Sequence, residues 1–111
     1  MTDPAGSGDT RSAVTVTDVP EQNRYQARID GEVAGVAVYI RTHDMIAFIH
    51  TEVKDEYEGH GVGSALARGA LDEARAQGLR VLAVCPFFDG WIGKHPEYED
   101  LRYVPASQVS D

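Results

Sequence analysis

Val53-Lys54-Asp55-Glu56-Tyr57-Glu58-Gly59-His60-Gly61-Val62-Gly63-Ser64 is the stretch on which the reading of this chain turns. It follows an apolar run, carries glycine at 59, 61 and 63, and leads straight into a segment with helical spacing. Glycine removes the Cβ atoms that would otherwise stand between neighbouring backbone N–H groups and a shared space. A helix starting directly behind adds its own unpaired N–H donors and the positive end of its dipole. Together these make a cradle for a phosphate or pyrophosphate. A short glycine-rich loop is as readily a tight turn, so the order of elements around it has to carry the argument.

Upstream the pattern is β. Residues 14–19 alternate in β-prone types and Pro20 closes them; residues 24–29 alternate again. Asp30-Gly31 is a hairpin turn signal, and residues 32–41 form a third strand with Gly35 as a candidate bulge. After the turn at Thr42-His43-Asp44, residues 45–53 read as a fourth strand.

Downstream the period changes. Val62, Leu66, Ala70 and Ala74 recur every four residues beside Ala67 and Leu71, one apolar face of a helix over 63–77, and Gly78 sits just past its end. Residues 79–85 are nearly continuously apolar, as expected of an interior strand covered on both faces. Residues 87–95 predict a short helix with Phe87, Phe88 and Trp91 in the core, and residues 101–104 a last short strand. The expectation is an α/β (α+β) chain with a mixed sheet of five or six strands. Its fourth strand, helix and fifth strand form a right-handed β-α-β unit. Ligands of such units collect beyond the carboxyl ends of the strands, where the glycine loop and Cys85-Pro86 both fall.

The 111 residues suit one domain, expected over 13–105, between a disordered arm at 1–12 and a loose tail at 106–111. A net charge of −8 argues against nucleic acid, whose phosphates need clustered Lys and Arg, and suits a cationic partner or plain solubility. Cys85 is the only cysteine, which rules out an internal disulfide and points to a reducing, cytoplasmic setting. No apolar run has the length of a membrane span, and the first residues lack the basic and apolar parts of a signal peptide. The loop has no Gly-Lys-Ser/Thr ending and no magnesium or other metal site accompanies it, which disfavours a nucleotide-phosphate binder.

With these residues in order, the chain resembles the GNAT superfamily of N-acetyltransferases. The strand-end Val53 and the glycine pair Gly61 and Gly63 fit that family's acetyl-CoA loop, and Gly59 is common there; Glu58 stands where the family usually has Gln or Arg. Cys85-Pro86 and His95-Pro96-Glu97-Tyr98 resemble more closely a small single-domain subgroup, over about residues 24–101. The resemblance implies a GNAT-like fold and acetyl-CoA as cofactor. It implies that the backbone N–H groups of His60, Gly61, Val62, Gly63 and Ser64 hold the CoA pyrophosphate, with Glu58 and Gly59 in the same loop. Glu52 and Val53 would offer backbone partners to the pantetheine arm. Lys94 and His95 are candidates for the adenosine phosphate, against a solvated helix end.

Acetyl transfer from a thioester to an amine needs a base for the amine, a donor for the carbonyl oxygen and an acid for the leaving thiolate. His50 and Glu52 share one face of their strand, as base candidates or as ordinary solvent-side residues. Cys85 reads as nucleophile, as acid or as a small buried hydrophobe. Tyr98 reads as a proton donor or a packed loop residue. The expected acceptor is a primary amine, on a small molecule or a protein lysine, reached through an open site or with help from a second subunit. The rival expectation is a CoA-binding or partner-binding module with little catalysis.

Overall fold

Asp30 and Gly31 both take positive φ angles, 52° and 84°, the turn that matches the twist of the strands on either side. They join β2 (Arg24–Ile29) to β3 (Glu32–Arg41), with Ile29 opposite Glu32. This is a computed structural model, and it describes residues 14–103; the arm expected at 1–12 and the tail at 106–111 lie outside the described residues. β1 (Thr15–Val19) runs antiparallel to β2, and β4 (Met45–Val53) antiparallel to β3. The Thr42 N–H donates to the Met45 carbonyl at 2.8 Å and closes the turn before β4.

The chain then crosses over through α1 (Val62–Ala76) to β5 (Arg80–Ala83), which lies parallel to β4 from Met45↔Arg80 to Phe48↔Ala83. A second helix, α2 (Pro86–Gly93), follows at once, and a 3-10 segment, Pro96–Leu101, ends the described fold. The sheet order is β1-β2-β3-β4-β5, a mixed five-stranded sheet with helices, the expected α+β class. Of the last strand expected at 101–104, residues 101–103 are described and show one parallel bridge, Val81↔Arg102; residue 104 lies outside the described residues.

α1 buries Leu66, Ala67, Ala70, Leu71 and Ala74, the face its spacing predicts. Phe48 of β4 stacks flat on Phe88 of α2 with centroids 4.1 Å apart, both fully buried. Burying one such side chain contributes about 1.5–3 kcal/mol. Gly35 is not itself the bulge: the register of β2 on β3 shifts between Ala27 and Arg28, opposite Gly35 and Val33. Glycine is needed at 35 by close approach, because a Cβ there would lie 2.8 Å from the Glu52 carbonyl oxygen and 2.9 Å from Val62 Cγ1. Gly35→Ala is expected to destabilise the chain by about 1–3 kcal/mol, read from its denaturant midpoint against the parent.

β5 departs from expectation. It ends the strand order instead of lying inside it, and on its helix-free face Leu82 and Val84 are 37 % and 57 % exposed. An apolar run has the same composition whether or not an element covers its second face, and among the described residues none covers this one.

Candidate functional site

β4 holds one residue more than simple alternation allows. Val38 pairs with His50 and Tyr39 with Phe48, which leaves Ile49 as the extra residue of a bulge. The bulge re-aims everything after it. Ile46 and Phe48 face the helices; beyond Ile49 that role passes to Thr51 and Val53, paired with Ala37 and Gly35 of the core. His50 and Glu52 turn to the open face, both exposed, with His50 Nε2 3.9 Å from Glu52 Oε1.

The bulge also marks where β4 and β5 part. Their pairing ends at Phe48↔Ala83, and the last link is the Cys85 N–H donating to the Phe48 carbonyl at 2.9 Å. Pro86 opens α2 directly behind Cys85, so the chain turns away while β4 continues to Val53. Cys85 caps α2, and its Sγ lies 3.3 Å from the Thr51 hydroxyl. The thiol is 5 % exposed. Burial pushes it up, but hydrogen bonds from the Thr51 hydroxyl and from the backbone of Phe88, Phe87 and Thr51 outweigh burial and bring it below the ordinary thiol range. Thr51 is the site residue that sequence reasoning misses. Its signal is the break in alternation at Ile49, where five apolar residues, 45–49, run together.

The glycine loop takes the expected position at the end of β4. After the 3-10 turn Asp55–Tyr57, Gly59 and Gly61 adopt positive φ of 85° and 77° with nothing within 4 Å of where a Cβ would stand. Gly61 is the N-cap of α1, with no side chain capping the helix. The first N–H taken up inside α1 is that of Ala65, on the Gly61 carbonyl, so those of Val62, Gly63 and Ser64 precede the helical ladder. An anion fits this geometry: the donors are uncapped and the space before them is clear of Cβ atoms.

Other loop residues differ in detail. The His60 N–H closes a turn on the Tyr57 carbonyl at 3.2 Å, so it is no donor to the cradle, and the Glu58 N–H is spent on Asp55 at 3.1 Å. The Glu58 side chain is exposed. Gly63 answers to packing, since a Cβ there would meet the Phe87 ring at 2.9 Å; Phe87 itself is 38 % exposed and not in the core. The Ser64 hydroxyl accepts the Trp91 indole N–H at 3.1 Å, tying α1 to α2. Lys94, exposed, ends α2. His95 is held by its ring on the Trp91 carbonyl at 2.7 Å and stacks on the Trp91 ring. Tyr98 is buried with its hydroxyl donating to Asp72 at 2.6 Å, in a network on the flank of α1. Burial and that hydrogen bond both raise its ionisation above the ordinary phenol range.

The profile of the family described as GCN5-related N-acetyl-transferase matches residues 24–101. The chain belongs to this family. The match runs from the first residue of β2 to the end of the last 3-10 segment, and so takes in the whole candidate site. Among curated proteins none matches. A GCN5-like protein from Staphylococcus aureus, solved by NMR, shares the fold at 21 % identity and TM-score 0.59, over 92 % of this chain and 99 % of that one. Ard1 from Thermoplasma volcanium aligns at 23 % identity and TM-score 0.53, over 71 % of this chain and 55 % of its own. The ribosomal-protein-alanine N-acetyltransferase of Brucella melitensis biovar Abortus 2308 aligns at 18 % and 0.52, over 79 % and 65 %. At these identities the structural likeness speaks for the fold. No helix among the described residues is long and apolar enough to cross a membrane.

Proposed function

We propose that this GCN5-related N-acetyltransferase carries an acetyl group from acetyl-CoA to a primary amine. The observation that carries the reading is the juxtaposition of an uncapped α1 N-terminus with the gap between β4 and β5 at Cys85. The N–H groups of Gly61, Val62, Gly63 and Ser64 bind the diphosphate, and the backbone of Glu52 and Val53 lines the path of the pantetheine arm. Lys94 is the candidate cation for the third phosphate. Acetyl-CoA supplies the acetyl group as a thioester. Cys85, whose ionisation lies below the ordinary thiol range, offers the sulfur that accepts an acyl group, and Thr51 holds it in place. His50 or Glu52 takes the proton from the amine on the open face. In the net reaction the amine nitrogen gains the acetyl carbon and loses a proton, and the departing CoA sulfur leaves as a thiol.

A second reading, a CoA-binding module with little catalysis, is favoured by one observation: the bulge puts His50 and Glu52 on the face opposite to Thr51 and Cys85. One assay separates the two. CoA is expected to raise the melting temperature where ATP at the same concentration does not, since a ligand held only by the native chain stabilises it. Release of free thiol from acetyl-CoA with an amine panel then supports transfer. A CoA shift with no thiol release supports the module, and equal shifts with ATP remove both.

A further inference from the structure

The open face of the sheet, opposite α1 and α2, has an apolar end. Ile40, Ala47 and Leu82 stand in one row across β3, β4 and β5, and Ile40 is 60 % exposed. Val38 follows in the next row, and Ile49, the extra residue of the bulge, and Val84, two residues past Leu82, add exposed apolar surface. Single exposed apolar side chains are ordinary, but four joined over one end of a sheet mark an interaction surface. The charged strand residues at this end of the face are arginines. Arg80 precedes Leu82 by two residues, and Arg24 pairs with Val38, so they flank the apolar row from opposite sides. By strand spacing and rise they stand about 20 Å apart. Arg80 donates from Nη1 to the Asp100 carbonyl at 2.9 Å, which fixes it at the sheet edge. Arg24 is half-buried, and its Nε is closed off from solvent with no hydrogen-bond partner among the described residues. A buried donor left unpaired is costly and calls for compensation from outside the described chain. Among the described strands Glu52 is the one carboxylate on this face, a row further on beside Val36 and 3.9 Å from His50. Asp44, in the turn before β4, is held by the Thr42 hydroxyl at 3.0 Å.

We propose that this end of the sheet docks an amphipathic α-helix of another protein, apolar along one stripe and acidic on its flanks. Geometry and charge select that occupant. An apolar sheet face is stable under a second layer, and among the described residues only the opposite face has its helices. The outer edge of β5 is taken where Val81 bridges Arg102 and accepts the Tyr103 N–H at 2.7 Å, so a partner meets the face and not the edge. A helix of three to four turns, about 16–22 Å long, reaches from Arg80 to Arg24. Its carboxylates meet the two arginines while its stripe lies on Ile40, Leu82 and Val84. A second copy would bring two like-charged arginines to the same place, and an anionic lipid surface repels a chain of net charge −8. The docking stands apart from acetyl transfer, since it uses neither the glycine loop nor Cys85.

The probe is a labelled synthetic helix of about eighteen residues with a leucine stripe and glutamate flanks, titrated into the full chain by fluorescence anisotropy. Its control carries lysine in place of glutamate. The glutamate helix is expected to bind saturably at micromolar concentration, and the lysine helix about tenfold more weakly or less. The double variant Ile40→Thr, Val84→Thr keeps β-branched side chains while removing apolar surface, so it should weaken the glutamate helix about tenfold at an unchanged melting temperature. Arg24→Gln should weaken it by about threefold to tenfold and flatten its salt dependence, and decides alone if the double variant does not fold. Equal binding of the two helices, binding that neither variant weakens, or no saturation below about 1 mM overturns the proposal. A dimer seen in sedimentation and lost in the double variant overturns it in favour of a second copy. Flotation with vesicles of phosphatidylcholine and phosphatidylserine overturns it in favour of a membrane.

Discussion

Gly61→Glu is expected to abolish CoA binding, measured as loss of the CoA-induced thermal shift. The residue stands at the N-cap of α1 with φ of 77°, and nothing lies within 4 Å of the position a Cβ would take. A glutamate there sends bulk and negative charge into the space before the free N–H groups of Val62, Gly63 and Ser64. The backbone alone makes some trouble, since a residue with a Cβ loses about 1–2 kcal/mol in the left-handed region. Gly61→Asn separates the two effects, because asparagine tolerates that conformation and carries no charge. It should keep most of the CoA shift while Gly61→Glu keeps none. Equal shifts for both variants and the parent would remove the cradle.

Cys85→Ala is expected to reduce turnover by about a hundredfold or more while CoA binding changes little, the signature of a group that acts in the reaction and not in ligand capture. Intact-mass analysis checks the sulfur directly: with acetyl-CoA and no amine the parent should gain one acetyl group, and the alanine variant none. The pH dependence follows from the lowered thiol. Its deprotonated form is easier to reach than that of an ordinary thiol, so turnover should fall as pH drops through the folded thiol's own ionisation, at a pH below the ordinary thiol range. The stability linked to the thiolate has the same sign, present above the ordinary thiol range and lost as pH falls through the lowered one. Thr51→Val removes the hydroxyl beside Sγ and should move the acidic limb to higher pH. An unmoved limb would make Thr51 a packing residue.

The sheet was largely legible because its punctuation is chemical. Asp30-Gly31 fixes a hairpin that places Ile29 opposite Glu32, and the Thr42–Asp44 turn sets the start of β4. The helix announced itself through Leu66, Ala70 and Ala74, all on the buried face. What stayed hidden depends on partners distant in sequence. Nothing in residues 79–85 distinguishes a strand buried on both faces from one with Leu82 and Val84 left open. Thr51 looks like an ordinary strand residue until the extra Ile49 turns it toward Cys85, a contact 34 positions away. Gly63 belongs to a motif that suggests phosphate, yet the atoms that forbid a side chain there are those of Phe87. The cleft lined by Val33, Val36, Glu52 and Asp55 needs residues from β3, β4 and the turn after it, so no local pattern signals it.

Every neighbour in the sheet is also a neighbour along the chain, and the first four strands pair through short turns. Such a meander closes only small loops and assembles quickly, whereas β5 has to await the laying down of α1 across the sheet. The gap at Cys85 therefore exists only once β5 lies beside β4. A chain ending before Arg80 carries the sequence of four antiparallel strands and of the glycine turn, but lacks β5, the second wall of that gap.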